Sequence, residues 1–228
     1  MRSHLVRLPI LVCSMVLATQ SQAALFDRGG GLIYDDTLNI TWLQDANYSK
    51  TSGYDADGQM NWADAAAWAD GLSYHDSVRN VTYTDWCLPK TFDIGGDGCV
   101  AFSLTGGTDC GYKPLPSTSE MATLYYEELG NKGQPDANYG VKSVGPFINL
   151  LDHEGYWSGT EHAPNPGTEA WAFGTANGHQ DNHVKSIPLN AWAVRDGNVA
   201  AIPEPESYLL VLTGLVVIGA LSRRRKVH

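Results

Sequence analysis

Positive charge is scarce in this chain of 228 residues, which has 15 Lys and Arg residues against 25 Asp and Glu residues. The imbalance is larger in residues 24–201, where nine basic residues face twenty-three acidic ones and the net charge is −14. Such a surface repels the phosphates of nucleic acids and anionic lipids. The composition therefore argues against a nucleic-acid partner and is compatible with divalent cations or neutral sugars.

The chain also lacks the short motifs of the common enzyme classes. It has no Gly-x-Ser-x-Gly elbow, no phosphate-binding glycine loop and no zinc-binding helix motif. Acidic residues are numerous, but no pair of them is marked out for glycoside hydrolysis. The sequence therefore predicts a protein that is not an enzyme.

A short apolar run follows the N-terminus of the chain. Arg2 and Arg7 form a basic region, residues 8–18 are mostly apolar, and Ser21-Gln22-Ala23 offers a small-residue cleavage site. This order is typical of a secretory signal peptide. We therefore expect residues 1–23 to direct export and to be removed after Ala23.

The C-terminal segment, residues 202–228, has three ordered parts: Pro203, Glu204 and Pro205, then the apolar run 207–221, then Arg223, Arg224 and Arg225. A basic cluster after an apolar run stays in the cytoplasm, because Lys and Arg resist translocation across the membrane. The run of fifteen residues spans roughly 22 Å as a helix, against about 30 Å of bilayer hydrocarbon. It is short for a permanent span, although a plain membrane anchor stays the alternative.

This tail resembles the PEP-CTERM sorting signal of Gram-negative bacteria. The resemblance implies an exosortase-type processing enzyme as a partner and a membrane-bound intermediate, held by the C-terminal helix before processing. It also implies final delivery to the cell surface or the extracellular matrix, where biofilm components lie. Residues 24–201 are then the one globular domain, which is long enough to bury its own core.

Cysteine is also rare, with four residues in the chain and three of them, Cys87, Cys99 and Cys110, in residues 24–201. An exported domain favours one disulfide and one leftover thiol. The short loop between Cys99 and Cys110 makes that pairing the favoured one, with Cys87 to Cys99 as the second choice. No Cys-x-x-Cys spacing supports a zinc site.

Apolar periodicity predicts an α+β fold with two helices flanked by short antiparallel strands. Asn61 is expected to cap the first helix and Gly71 to end it. The second helix is expected to start at the capping box Ser117-x-x-Glu120 and to stop at Gly130. The predicted strands are residues 31–34, 38–43, 155–160, 169–174 and 189–195, and residues 179–183 are predicted to be a hairpin loop.

Five segments stand in the order found in the Lcl C-terminal-like domain: Trp62-Ala63-Asp64-Ala65, Asp85-Trp86-Cys87-Leu88-Pro89, Pro116-Ser117-Thr118-Ser119-Glu120-Met121, Tyr156-Trp157-Ser158-Gly159-Thr160 and Ala191-Trp192-Ala193-Val194-Arg195. The resemblance implies a C-type-lectin-like fold, which formylglycine-generating enzymes also use, and a role in adhesion or glycan binding. The chain departs from that pattern at Cys87, where the family usually has Arg.

Tryptophan is common, with seven residues. Aromatic rings fill protein cores and also stack on the apolar faces of sugars. Trp42, Trp62, Trp86, Trp157 and Trp192 lie within predicted elements and are expected to pack in the core. Trp68 and Trp171 are the two candidates for stacking on a ligand.

Two Asp-Gly loops suggest a calcium site. Asp55 and Asp57 stand two residues apart before Gly58, and Asp93 and Asp97 stand four apart around two glycines. Ca²⁺ prefers several oxygen ligands from such loops. Neither loop completes an EF-hand pattern, and solvated turns of Asp and Gly form for conformational reasons alone.

The residues and the two resemblances together predict an exported binding or structural protein that contacts exopolysaccharide or another glycan. No cofactor is expected, apart from the calcium hypothesis. The alternative is an enzyme on the same fold, either an oxidase related to formylglycine generation or a hydrolase. A passive coat protein without a saturable ligand is a third hypothesis.

Overall fold

The structure is a computed structural model that describes residues 25–153 and 155–201. The predicted signal peptide, residues 1–23, lies outside the described residues. The predicted sorting segment, residues 202–228, also lies outside them, with its Pro203, Glu204, Pro205, Arg223, Arg224 and Arg225. Within the part that is described, no helix has both the length and the apolar character that a membrane span requires.

The described residues form a mixed α+β fold with few helices and several antiparallel strands. The strands are β1 (Leu25–Asp27), β2 (Leu32–Asp35), β3 (Ile40–Leu43), β4 (Gln59–Met60), β5 (Tyr74–Asp76), β6 (Val81–Tyr83), β7 (Gly111–Tyr112), β8 (Gly155–Glu161), β9 (Glu169–Gly174), β10 (His179–Val184), β11 (Leu189–Asn190) and β12 (Val194–Asp196). The α-helices are α1 (Tyr48–Thr51), α2 (Trp62–Asp70) and α3 (Glu120–Ala122).

The strands are arranged in three sheets. One has four strands in the order β1-β2-β3-β12, and the largest has six in the order β4-β11-β8-β9-β10-β7. The pair β5-β6 forms a separate hairpin. Neighbouring strands run antiparallel, except that β11 runs parallel to β8.

The predicted hairpin of residues 31–43 is confirmed as β2 and β3, which pair from Leu32 with Leu43 to Asp35 with Ile40. The turn between them is closed by the Asp35 carboxylate, which accepts a hydrogen bond from the Leu38 N–H. Asn39 has a positive φ of 53°, a conformation that Asn tolerates better than most residues. Local turn chemistry therefore determines this hairpin.

Helix α2 begins and ends where the sequence predicts. The Asn61 side chain accepts a hydrogen bond from the Asp64 N–H at 3.0 Å, and Gly71 is the C-cap. The helix buries Ala65, Trp68 and Ala69 on one face. An N-cap of this kind stabilises a helix by about 1 kcal/mol.

The second predicted helix is shorter and less regular than expected. A 3₁₀ turn covers Pro116–Thr118, α3 covers Glu120–Ala122, and a π-helical segment continues over Thr123–Glu128. The N-cap is Ser119, whose hydroxyl accepts from the Ala122 N–H, so the prediction of Ser117 as the cap is wrong. The Glu120 carboxylate accepts instead from the Lys90 N–H at 2.7 Å, which removes it from a capping box.

Two strand predictions in the C-terminal part need correction. Residues 189–195 are not one strand, because β11 joins the six-stranded sheet and β12 joins the four-stranded one. Residues 179–183 are not a loop but belong to β10, which pairs along its whole length with β9. The turn of that hairpin lies at residues 175–178 instead.

The core connects the two large sheets around a cluster of aromatic rings. Trp192 lies between β11 and β12, with its ring centroid 4.8 Å from that of Trp42 and 4.9 Å from that of Phe147. Its indole N–H donates to the Leu43 carbonyl at 2.7 Å. Trp192 therefore fills the space between the sheets and satisfies its own polar atom, as a buried tryptophan requires.

Candidate functional site

A groove lies where loop 133–142 meets the segments at residues 152–153 and 176–177. Its volume is about 420 Å³, within the range of small-molecule pockets. The polar side chains and the aromatic ring that line it come from Gln134, Tyr139, Lys142, Asp152, His153 and Asn177. This composition suits a ligand with many hydroxyl groups better than an apolar one.

Backbone and hydroxyl hydrogen bonds fasten the segments that form this groove. The Gln134 N–H donates to the Asn177 carbonyl at 2.9 Å. The Thr175 hydroxyl donates to the Leu151 carbonyl at 2.7 Å, which holds segment 151–153 beside the end of β9. The walls of the groove are thus connected directly to the six-stranded sheet.

Two tyrosines of the π-helical segment hold two of the segments that flank the groove, the start of loop 133–142 and the turn 175–178. The Tyr125 hydroxyl donates to the Lys132 carbonyl at 2.9 Å, and the Tyr126 hydroxyl donates to the Gly178 carbonyl. Burial raises the pKa of Tyr125 to about 12 and also raises the pKa of Tyr126. Both hydroxyls therefore stay protonated donors at physiological pH.

A second cavity, of about 210 Å³, adjoins the first and lies across strands β8, β9, β10 and β11. His153, Ala176 and Asn177 line both cavities. The two cavities therefore lie side by side, and together they are called here the joint groove. His179 and His183 of β10 are the titratable side chains that the second cavity adds.

Small residues make room for the joint groove on the sheet. Gly155 of β8 pairs with Gly174 of β9, which in turn pairs with His179 of β10. The His179 ring lies against Gly174, where a Cβ atom would collide with its Nδ1 and Cε1 atoms. Ala172, two residues before Gly174, also lines the cavity. The absence of a side chain at Gly174 thus leaves room for the imidazole of His179.

The imidazoles of the joint groove are in different surroundings. Burial lowers the pKa of His179, an effect that the Asp181 carboxylate opposes and the neighbouring His183 strengthens. The centroids of the His179 and His183 rings are 6.3 Å apart. His153 is exposed, and its Nε2 atom lies 3.3 Å from the Asp152 carboxylate. The groove thus combines the half-buried imidazole of His179 with the exposed imidazole of His153.

The two tryptophans predicted to stack on a ligand are both buried. Trp68 is 3% exposed and Trp171 is 0% exposed. The Trp171 ring packs edge-on against His162, with centroids 5.9 Å apart. Neither ring can meet a dissolved sugar in this structure, so the sequence-based assignment is corrected. Helix and strand periodicity did not reveal which face of these elements is covered.

Trp62 is the half-buried tryptophan, although the sequence placed it with the core group. It lines a separate groove of about 260 Å³ together with Cys87 and Lys90. The Lys185 Nζ atom lies 3.9 Å from the centroid of the Trp62 ring. This cation–π contact already occupies one face of the ring.

The first predicted calcium loop uses its carboxylates within the loop. Asp55 accepts hydrogen bonds from the N–H groups of Asp57 and Gly58, at 3.0 and 2.8 Å. The Asp57 carboxylate accepts from the Gln59 N–H at 3.0 Å. These contacts are those of a local turn, which explains the spacing of the two Asp residues without a metal ion.

The second predicted calcium loop lies beside the disulfide. Asp93 accepts from the Gly98 N–H at 2.9 Å, and Asp97 is exposed. Within residues 25–153 and 155–201, the group of three potential ligands that lie within 4.8 Å of one another is Cys99, Cys110 and Asp181. Neither Asp pair belongs to it, so calcium binding stays a prediction.

Cys99 and Cys110 form a disulfide with their Cα atoms 5.3 Å apart, the pairing that the sequence favours. Their sulfur atoms are therefore not free to bind a metal ion together with Asp181. Cys87 is the remaining thiol among the described residues. Burial raises the pKa of the Cys87 thiol, which opposes the thiolate form that a nucleophile needs.

The joint groove was missed at the sequence level because its residues come from separate segments. Tyr139 and Lys142 lie in one loop, Asp152 and His153 in another, and His179 and His183 on a strand that was predicted as a loop. The alternation of His179, Asp181 and His183 was a usable signal, since it places the three side chains on one face of a strand.

Comparison with known proteins provides no relative: no family model, no curated protein and no solved structure matches this chain.

Proposed function

We propose that this chain is an exported, non-enzymatic binding protein whose joint groove holds a stretch of glycan or exopolysaccharide. The observation that carries the proposal is the composition of that groove. An exposed aromatic ring and two planar amides line a single polar cleft. The proposal therefore concerns a site different from the tryptophans that the sequence suggested.

The side chains of the groove match the chemistry of a sugar. The Tyr139 side chain is 42% exposed, so its ring is available to stack on the apolar face of a pyranose. Gln134 offers an amide with donors and an acceptor, and Asn177, whose amide oxygen contacts the His179 ring, offers its NH₂ group, which suits neighbouring hydroxyl groups. Such a cleft orients a hydroxyl-rich ligand without needing a metal ion.

The shape of the groove favours a chain over a single sugar. The cavities of about 420 and 210 Å³ lie on either side of His153, Ala176 and Asn177, so several linked sugar units could contact both of them. The connected walls described above hold the groove in place before a ligand arrives. Preorganisation of this kind lowers the entropic cost of binding.

The proposal also covers the fold of the domain and the location of the protein. The α+β arrangement is compatible with the C-type-lectin-like fold that the Lcl resemblance implies, which we adopt as part of the proposal. We further propose that residues 1–23 direct export and that an exosortase-type enzyme processes residues 202–228. The domain then reaches the cell surface or extracellular matrix, where polysaccharide is abundant.

The rival function, an oxidase related to formylglycine generation, would need two reactive thiols. Among the described residues, Cys99 and Cys110 are joined and Cys87 is left without a cysteine partner. The raised pKa of Cys87 also keeps its thiol protonated at neutral pH. These observations favour the binding function over the oxidase.

A glycan array probed with the full chain, purified in detergent, tests the proposal, and calorimetry then measures the affinity for the best ligand. We expect Tyr139→Ala to weaken binding about tenfold, since an aromatic contact contributes about 1–1.5 kcal/mol. Tyr54→Ala is the matched control, because Tyr54 is 60% exposed and lies outside the groove. Absence of binding to every glycan, or equal loss in both variants, would contradict the proposal.

A further inference from the structure

Three imidazoles and one ammonium group line the joint groove. His153, His179 and His183 line the cavity on the sheet, and Lys142 lines the adjoining cavity. Among the described lining residues, Asp152 supplies the carboxylate. This distribution contrasts with the whole chain, in which 25 acidic residues outnumber 15 basic ones. The groove is thus a locally basic strip on an acidic protein once its imidazoles are protonated.

The groups around the imidazoles determine how each one responds to pH. His179 has the Asn177 amide oxygen beside its Nδ1 atom, the Tyr112 ring of β7 on one side, and Asp181 and His183 on its own strand. From β9, its neighbour is the uncharged Gly174. Among the described residues, Asp181 is therefore the anion that favours the charged form of His179, whereas burial and His183 disfavour that form.

The surroundings of His183 and His153 also include charged side chains. His183 shares a strand face with Asp181, two residues before it, pairs in register with the uncharged Ala170 of β9 and faces the ring of His179. Leu189 of β11 lies in the same cavity and carries no charge. His153 meets the Asp152 carboxylate at 3.3 Å. An anionic ligand that enters the groove would therefore compete with few carboxylates of the described residues for contact with these imidazoles.

We propose that the joint groove selects an acidic glycan, one whose sugar units carry carboxylates, and that it binds this ligand more tightly as the pH falls through the histidine range. The inference rests on the proposed glycan function and names the class of glycan. An ordinary histidine gains its proton near pH 6.5, so mild acidification adds positive charge to the groove. Carboxylates of the ligand then pair with imidazolium groups and with Lys142.

The coupling is reciprocal, because a ligand that binds the protonated form better also stabilises that form. A carboxylate beside His179 opposes the burial that lowers the pKa of this residue, so ligand binding should be accompanied by proton uptake. A neutral glycan of the same length makes the stacking and amide contacts without this uptake. The two ligands therefore separate charge recognition from sugar recognition.

The test measures the affinity of the full chain in detergent for oligogalacturonate and for oligogalactose of equal length. Each affinity is measured at pH 5.5 and at pH 7.5. We expect oligogalacturonate to bind about tenfold more tightly at the lower pH and oligogalactose to bind equally at both. His179→Gln and His183→Gln should each reduce the pH effect on oligogalacturonate. His75→Gln is the matched control, because His75 is an exposed histidine on β5, outside the groove.

Thermal unfolding at both pH values establishes that each variant is folded. Equal binding of the two ligands at both pH values would overturn the acidic-glycan inference and leave the glycan function standing. Binding of neither ligand, together with a glycan array on which nothing binds, would overturn both. A pH effect that survives unchanged in both groove variants would also contradict the inference, because it would place the responsible groups elsewhere.

Discussion

The Nδ1 atom of His162 lies 2.7 Å from the Oε2 atom of Glu169, at the end of the β8–β9 hairpin where a loop joins the two strands. The other ring nitrogen, Nε2, accepts a hydrogen bond from the Cys99 N–H at 3.2 Å. With Nε2 as the acceptor, the tautomer that makes both contacts carries its proton on Nδ1, which donates to Glu169. One side chain connects the hairpin to the disulfide loop, although the two are more than sixty positions apart in the sequence.

We expect His162→Ala to destabilise the protein by about 2 kcal/mol, since it leaves the Cys99 N–H without its partner in a half-buried position. Urea unfolding followed by tryptophan fluorescence measures this change, with His75→Ala as the exposed control. Hydrogen exchange at the Cys99 amide should accelerate in the same variant. Unchanged exchange at that amide would show that His162 does not hold the loop.

The disulfide should stabilise the domain as well. Cys99 and Cys110 are separated by 11 positions, and closing a loop of this size restricts the unfolded chain by about 3 kcal/mol. The double variant Cys99→Ser/Cys110→Ser should lower the urea midpoint accordingly, whereas Cys87→Ser serves as the single-thiol control. Titration of the denatured full chain should find two free thiols. Four would contradict the pairing.

Local signals predicted those parts of the fold that depend on neighbours in the sequence. Asn61 and Asp64 are three residues apart, so their cap could be recognised directly. The cap at Ser119 could not, because the competing use of Glu120 depends on the Lys90 N–H, thirty positions earlier. A contact of that kind is visible only once the chain has folded.

The candidate site was predictable to a smaller extent. Trp68 and Trp171 were chosen for their residue type, but exposure depends on which elements pack over them, and both are buried. The joint groove depends on three loops that meet at the end of β9, among them the one that contains Tyr139. The disulfide between Cys99 and Cys110 is an exception, since a short loop already favours closure.

Glu120 should make stability depend on pH. Burial raises the pKa of its carboxyl, an effect that the hydrogen bond from the Lys90 N–H opposes. Because the folded-state pKa lies above the ordinary value of 4.5, folding favours the protonated form. The contribution of Glu120 to stability is therefore complete below pH 4.5 and is lost as the pH rises through the folded-state pKa.

The isosteric variant Glu120→Gln isolates this effect, since its amide oxygen can still accept from Lys90. The stability of the wild type minus that of the variant should fall as the pH rises above about 4.5. Chemical unfolding at a series of pH values measures this difference. Glu127→Gln, at an exposed neighbouring position, should show no such trend. A difference that stays constant with pH would contradict the prediction.

The contribution of Arg195 to stability should depend on the shape of its guanidinium group and not only on its charge. It donates to both carboxylate oxygens of Asp85 at 2.8 Å and lies 4.5 Å from the centroid of the Tyr83 ring. Arg195→Lys keeps the charge but loses the bidentate geometry and the stacking, so we expect a loss of about 1 kcal/mol.

The pH dependence of this pair has the opposite sign to that of Glu120. The hydrogen bond from Arg195 lowers the pKa of Asp85, so the pair stabilises the protein above the ordinary value of 3.8 and loses its effect as the pH falls. In a double-mutant cycle, Asp85→Asn should remove the part of the difference between Arg195 and Lys that comes from the bidentate contact, and leave the part that comes from stacking on Tyr83. Full additivity of the two substitutions would show that the contact contributes nothing.

The two serines near α3 offer the sharpest comparison of sequence and structure. Ser119 accepts from the Ala122 N–H at 3.2 Å and is buried, whereas Ser117 is exposed within the preceding 3₁₀ turn. Ser119→Ala should therefore destabilise the protein by about 1 kcal/mol, and Ser117→Ala by much less. Urea unfolding of both variants measures the difference. The reverse order would show that the capping box predicted from the sequence, and not the observed cap, begins the helix.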